Sequence, residues 1–381
     1  MTQSTSNSIA SSLFEPFRYG SLALQNRIVM APMTRTFSPG GVPGADVAAY
    51  YRRRAQGGVG LILTEGTWIP HASASNEDNA PRFYGDDALN GWRAVVDAVH
   101  AAGSKIMPQL WHVGLTHRPK AANIYDDVAE DFSARLSPSG FVGVGDRIAE
   151  GMSIADGEAI IAAYAEAAAT ARQVGFDGVE IHGAHGYLVD QFFWSETNRR
   201  DDRWGGRALG ERAAFGVDLI RAIRGAVGPD FPIILRFSQW KLQDFAARLA
   251  ETPEELATLL CPLADAGVDI FHASQRRFWL PEFDGSPLNL AGWAKKLTGK
   301  PSITVGSVGL DKEMLETGAD PQTQAQVGAI DGLIEMLERG DFDLVAVGRA
   351  LIADAEWPQK VRDGRFGDLK PFDAGLLAAL I

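Results

Sequence analysis

The segment His182-Gly183-Ala184-His185-Gly186-Tyr187-Leu188 brings two imidazoles and a phenol together in one short run. Imidazoles three residues apart can face one pocket and donate hydrogen bonds to a single oxygen, while the Tyr187 O–H offers a proton beside them. The same spacing suits a structural histidine pair or half of a metal site. Asp269 and Glu180 fall within expected strands, so no carboxylate at a neighbouring strand end completes a metal set, and His272 is the only further candidate.

Two glycine-rich turns supply a different chemistry. Val305-Gly306-Ser307-Val308-Gly309 and Val347-Gly348-Arg349 each follow an apolar run. Glycines let backbone N–H groups approach phosphate oxygens, and Arg349 can add a charge-assisted contact. Two ordinary tight turns would read the same way. Gln109 could pair with a heterocycle edge and Arg236 could stabilise an anion, though either also suits a barrel core or a salt bridge. Trp68, Trp111, Trp240, Phe278 and Trp279 suit a flat conjugated ligand or simple packing beneath loops.

These groups need a scaffold that gathers them, and the chain supplies one by alternation. Short apolar or β-branched runs predict strands at 27–33, 59–66, 104–110, 177–182, 232–237, 268–273, 301–306 and 342–347. Helical patterns lie between them, at 45–57, 86–102, 154–174, 208–227, 253–266, 289–298, 325–339 and 354–363. Gly60-Leu61-Ile62-Leu63 and Leu344-Val345-Ala346-Val347 are continuously apolar, as parallel strands covered on both faces are. Eight such units without a compositional break predict a single α/β domain, a closed (β/α)8 barrel. That fold builds its site at the C-terminal strand ends, where these residues fall. Residues 1–12 are expected to be a flexible tail and 13–381 the barrel domain, with a long Gly/Ser/Pro-rich loop over 112–153.

Composition narrows the function class. The 381 residues carry a formal net charge of −12, which disfavours nucleic acid or an anionic membrane as partner. The single cysteine, Cys261, excludes an intrachain disulfide, a cysteine-held iron–sulfur cluster and a multi-thiolate zinc site. The start of the chain lacks a secretory signal and no apolar run reaches spanning length, so a cytoplasmic protein is expected.

Several stretches together resemble the old yellow enzyme family of FMN-dependent ene-reductases, from Leu13 to about Arg365. They are Leu13-Phe14-Glu15-Pro16, Asn26 through Thr34, Leu63-Thr64-Glu65-Gly66, Gln109-Leu110-Trp111-His112 and His182 through Phe192. Asn198 through Gly206 and Gly348-Arg349-Ala350 complete the set. The resemblance implies FMN across the barrel mouth. Ala31, Pro32, Met33 and Gly66 would flank the ring, with the Thr34 hydroxyl near O4, Gln109 at the pyrimidine edge and Arg236 near N1. Gly306, Ser307, Gly309, Gly348 and Arg349 would hold the phosphate. No metal is implied.

The implied reaction is ping-pong: NADH or NADPH reduces the flavin, then an activated alkene such as an α,β-unsaturated carbonyl is reduced. His182 and His185 would bind the carbonyl, Tyr187 would protonate the α-carbon, and Trp111 and Trp279 would border the substrate. The alternatives are oxidative N-demethylation of a betaine-type amine on the same flavin, a metal-dependent barrel hydrolase, or a ligand-binding protein without turnover. A monomer or homodimer is expected. Thr34 and Trp111 look like the plant-and-yeast branch of the family, His185 and His112 like the bacterial branches. The segments 237–241 and 274–279 depart from the family pattern.

Overall fold

In this computed structural model residues 11–75, 77–116, 119–120, 124–125, 134–145, 147–313 and 324–381 are described. Eight parallel strands close into a barrel: β1 (Ile28–Met30), β2 (Leu61–Trp68), β3 (Lys105–Trp111), β4 (Val179–His185), β5 (Ile233–Lys241), β6 (Ile270–Ser274), β7 (Ser302–Val305) and β8 (Leu344–Val347). Each strand pairs with its neighbours in sequence, and β8 returns to β1. The helices crossing between them are α1 (Ala45–Gln56), α2 (Asp86–Ala101), α3 (Ile154–Val174), α4 (Ala214–Val227), α5 (Pro253–Ala266), α6 (Leu290–Thr298) and α7 (Asp331–Glu338), and α8 (Arg349–Ala353) follows the last strand. This is the (β/α)8 barrel expected from the sequence.

The strands bury both faces because each face has its own core. Val29, Leu61, Leu63, Met107, Ile234, Ile270, Ile303, Leu344 and Ala346 fill the interior, and Phe17, Leu22 and Leu24 of an N-terminal hairpin join them. Their alternating neighbours, including Ile28, Met30, Ile62, Ile106 and Ile181, pack outward against the helices.

Several boundaries differ from expectation. The strand predicted to end at 237 continues to Lys241, past a register shift between Gly183 and His185. Such an irregularity re-aims side chains at a barrel rim. The helix predicted from 325 begins at Asp331, because Gln324–Ala325 pairs instead with Phe372–Asp373. The helix predicted over 208–227 breaks at Ala213. The tail expected over 1–12 lies outside the described residues except for Ser11 and Ser12, which open a 3-10 turn. Much of the long loop over 112–153 also lies outside them. Among the described residues no helix is long and apolar enough to cross a membrane.

Candidate active site

The β4 end carries the densest chemistry. His182 and His185 meet edge to face with ring centroids 5.2 Å apart, and the Tyr187 ring stands 4.9 Å from His182. Trp111, from the end of β3, stacks on His182 at 6.3 Å and meets Tyr187 edge-on at 5.1 Å. Both histidines are buried, and burial next to the Arg236 guanidinium holds their pKa values well below the ordinary imidazole range. Each is therefore neutral at pH 7, with one N–H to give. The backbone N–H of Ala184 donates to Nδ1 of His182 at 3.4 Å, which puts the His182 proton on Nε2. That Nε2 has no partner in the described protein.

The turn is held from below. His185 has φ 65°, a left-handed conformation costly for a non-glycine residue. Its N–H donates to Ser238 Oγ at 2.9 Å, and its carbonyl accepts from Leu242 N at 3.1 Å. Next in the chain, Gly186 donates to Asp190 Oδ2 at 2.7 Å. Gly186 has φ 82°, a conformation that favours glycine, and a Cβ there would also push Gln243 Oε1 aside from 2.0 Å. The other Asp190 oxygen accepts from Lys241 Nζ at 2.8 Å, an ion pair with both side chains fully buried. Burial pushes the carboxyl up and the ammonium down, and their mutual attraction opposes both shifts. The unexpected extension of β5 is thus what braces the histidine turn.

A second polar group lies inside the barrel rim. Glu180 accepts from Gln109 Nε2 at 2.8 Å and from Nδ1 of His272 at 2.6 Å. Burial lowers the His272 pKa despite the nearby carboxylate, so the ring is neutral and donates. Arg236 is buried; its Nη2 reaches Ser274 Oγ at 3.2 Å, and its Nε has no hydrogen-bond partner among the described residues. Among the described residues no group of three or more His, Cys, Asp or Glu is arranged to hold a metal ion.

On the opposite rim, Glu65 shapes the segment after β1. Its Oε2 accepts the N–H groups of Arg35 at 2.8 Å and Thr36 at 3.0 Å, and Thr36 has φ 57°. Burial raises the Glu65 pKa to about 7, with the two N–H donors pulling against it. Thr34 just before this turn is exposed, while Ala31 and Pro32 are buried. Gly66 has no room for a side chain, because a Cβ would fall 2.6 Å from the Trp111 ring.

The two phosphate-type turns lie side by side. Ser307 has φ 53° and donates from Oγ to the Arg276 carbonyl at 3.0 Å, and a Cβ on Gly306 would meet the Gln275 carbonyl at 2.6 Å. Arg349 donates to the carbonyls of Lys312 and Glu313 at 2.6 and 3.2 Å, so it ties the β7 turn to the β8 turn. A Cβ on Gly348 would have nothing nearer than Met33 Sδ at 3.6 Å, which leaves its backbone open to the β1 end.

Gln109 and Arg236 fit the edge of a flavin ring, whereas the Ser307 hydroxyl and the Arg349 guanidinium already donate to backbone carbonyls in the two glycine turns. Arg236 Nε is a buried cationic donor without a hydrogen-bond partner among the described residues, which suits an electron-rich ring edge. Gln109 keeps its Oε1 for a ring N–H once Nε2 is bound to Glu180, and glycine backbone frames both ends.

Trp279, expected to border the substrate, makes no ring contact with the histidines among the described residues. It is 43% exposed and packs edge-on against Phe278. Its place beside the histidines is taken by Trp240, whose ring stacks on His185 at 4.3 Å and whose Nε1 donates to the Ser274 carbonyl. Trp240 also lines a cavity of about 300 Å³ with Phe245, Ser274, Arg276, Arg277 and Leu280. The run after the histidine motif serves as scaffold: Arg200 donates to the carbonyls of Pro138 and Met152, pinning the end of the long loop.

A family model described as the NADH:flavin oxidoreductase / NADH oxidase family matches residues 12–367. The chain is 34% identical over 367 residues to an NADH oxidase of Thermoanaerobacter brockii, across 94% of this chain and 52% of that protein. It therefore spans about half the length of that relative. Among solved structures, morphinone reductase in complex with tetrahydroNAD superposes with a TM-score of 0.71 at 28% identity, over 93% of this chain and 91% of the other. An Old Yellow Enzyme from Pichia sp. AKU4542 gives 0.75 at 25% identity, over 96% and 90%.

Proposed function

The chain belongs to the NADH:flavin oxidoreductase / NADH oxidase family, that of the old yellow enzymes it resembles, and we propose that it is an FMN-dependent ene-reductase acting on α,β-unsaturated carbonyls and similarly activated alkenes. Bound FMN supplies the redox chemistry, taking hydride from NADH or NADPH and returning it to the alkene. Ala31, Pro32, Met33, Thr34, Gly66, Gln109 and Arg236 frame and polarise its ring in this reading. Gly306, Ser307, Gly309, Gly348 and Arg349 face its phosphate.

One observation carries the reading. His182 and His185 stand side by side at the mouth, both neutral, with the Tyr187 ring against His182. Two N–H donors on a substrate carbonyl oxygen stabilise the enolate charge that grows as the β-carbon is reduced; one such donor is worth about 10²–10³ in rate. Tyr187 holds the proton that the α-carbon takes up. Trp111 walls the site on the His182 side, and Trp240 on the His185 side replaces the expected Trp279.

The test is spectroscopic. The purified protein should be yellow, bleach without oxygen on adding NADH or NADPH, and recover its colour with 2-cyclohexenone. A colourless protein that takes up no added FMN overturns the reading. Rapid flavin reduction by a betaine-type amine, with none by either nicotinamide, selects oxidative demethylation instead.

A further inference from the structure

His182 and His185 are set up differently. A backbone N–H fixes the His182 proton, whereas among the described residues no backbone group does this for His185. Its Nε2 lies 2.7 Å from Ser274 Oγ at the end of β6, and its Nδ1 has no partner in the described protein. The same Ser274 Oγ lies 3.2 Å from Arg236 Nη2. Ser274 is buried, and these two contacts are the only ones its hydroxyl makes among the described residues.

Proton accounting then settles the direction of each bond. A guanidinium only donates, so Arg236 occupies one lone pair of Ser274 Oγ. One proton and one lone pair remain for His185. Were His185 to donate from Nε2, the buried Ser274 proton would have no acceptor, an expensive arrangement. With Ser274 donating to Nε2, the Ser274 hydroxyl is satisfied on both sides and the imidazole proton sits on Nδ1, the nitrogen without a partner among the described residues. We propose that Ser274 is a positioning residue that fixes the Nδ1–H form of His185, so that the ring presents a donor, not a lone pair, to the substrate oxygen. Arg236 strengthens the relay, because a cation on Oγ makes the hydroxyl a better donor. Through this serine, the guanidinium assigned to the flavin edge also orients the substrate-binding imidazole.

Trp240 keeps the relay in place, stacking on His185 and donating to the Ser274 carbonyl at 3.1 Å. Two histidines three residues apart thereby offer protons from opposite ring nitrogens, Nε2 on His182 and Nδ1 on His185. The inference rests on the ene-reductase reading for its purpose, but not for its measurement.

The test uses FMN-loaded protein labelled with 15N-histidine, the His185 resonances being assigned by their loss in His185→Asn. The expected spectrum shows His185 protonated at Nδ1, with Nε2 as acceptor. Ser274→Ala should convert that signal to a tautomer mixture or to Nε2–H while leaving His182 unchanged, and Ser274→Thr should restore it. Enone reduction should fall about tenfold in Ser274→Ala, the scale of one hydrogen bond, and recover in Ser274→Thr. A wild-type His185 protonated at Nε2, or a Ser274→Ala spectrum identical to wild type, overturns the proposal. Absent enone reduction alongside the expected tautomer would sink the activity reading alone.

Discussion

Two histidine–serine clusters sit at the barrel mouth, and they differ in how far their buried rings are used up by the protein. After β2 and β3, Ser73 Oγ lies between His71 Nδ1 at 2.8 Å and His112 Nε2 at 2.9 Å. After β4 and β6, Ser274 Oγ lies between His185 and Arg236. Burial depresses the histidine pKa in both, in His112 to about 3. A depressed pKa therefore does not separate structure from chemistry here. The hydrogen bonds of the buried rings do, among the described residues. His112 accepts the Gly114 N–H on Nδ1 at 3.0 Å and meets Ser73 through Nε2, so its ring is used up in holding the chain. His182 and His185 each keep one nitrogen without a protein partner, which is what a ligand requires.

The widest separation should come from the proton donor. Tyr187→Phe should slow the alkene-reducing half-reaction by about 10²–10⁴, while flavin reduction by the nicotinamide changes little. Stopped-flow traces of the two half-reactions decide this; equal slowing of both would mean that Tyr187 only packs. No substitution at His71 or Ser73 should split the half-reactions in this way.

The clusters are also braced by different forces. Neutral hydrogen bonds hold the first, and the buried Lys241–Asp190 pair holds the second. Lys241→Met leaves the Asp190 carboxylate buried alone and should cost about 3–5 kcal/mol in chemical denaturation. Asp190→Asn added to it should recover part of the loss, since the amide oxygen still accepts the Gly186 N–H. A single variant as stable as wild type would remove this pair from the account. His112→Leu should cost less, about 1–3 kcal/mol from the orphaned Gly114 N–H and the bond lost to Ser73, whose hydroxyl keeps His71. Turnover per folded molecule should then stay near wild type, whereas a large fall would give the first cluster a catalytic share.

Much of this contrast was legible in the sequence, and the remainder was not for a physical reason. The apolar runs gave all eight strands, and the local spacing of His182, His185 and Tyr187 marked the groups proposed to react, because both signals are carried by neighbours in the chain. Ser274, Lys241 and Glu65 act through partners 89, 51 and 30 residues away, distances over which spacing carries no information. Lys241 left one trace, as a lone cation continuing the β5 run where a barrel rim would bury it. Trp240 and Trp279 were indistinguishable as aromatics in irregular segments. Only the register shift between Gly183 and His185 puts Trp240 over the imidazole. The helix start at 325 failed similarly, since Ala325 pairs with Phe372, far along the chain.

The last contrast is a difference in sign between two buried groups on neighbouring strand ends. His112 is lowered from 6.5 to about 3, so the unfolded chain binds its proton first as pH falls. Its contribution is complete above pH 6.5 and is lost between 6.5 and about 3, at about 1.4 kcal/mol per pH unit where the two states differ fully. Glu65 is raised from 4.5 to about 7, so the folded chain keeps its proton longer as pH rises. Its contribution is complete below pH 4.5 and is lost as pH climbs to about 7. Between pH 4.5 and 6.5 the two slopes oppose each other and partly cancel in the wild-type curve. Single variants should uncover them in urea unfolding at fixed FMN concentration. The stability of wild type relative to His112→Leu should rise with pH across that window, and relative to Glu65→Gln it should fall. Two difference curves of the same sign would mean that one of these groups is solvated in the folded protein, and the census of ring nitrogens at His112 would lose its force.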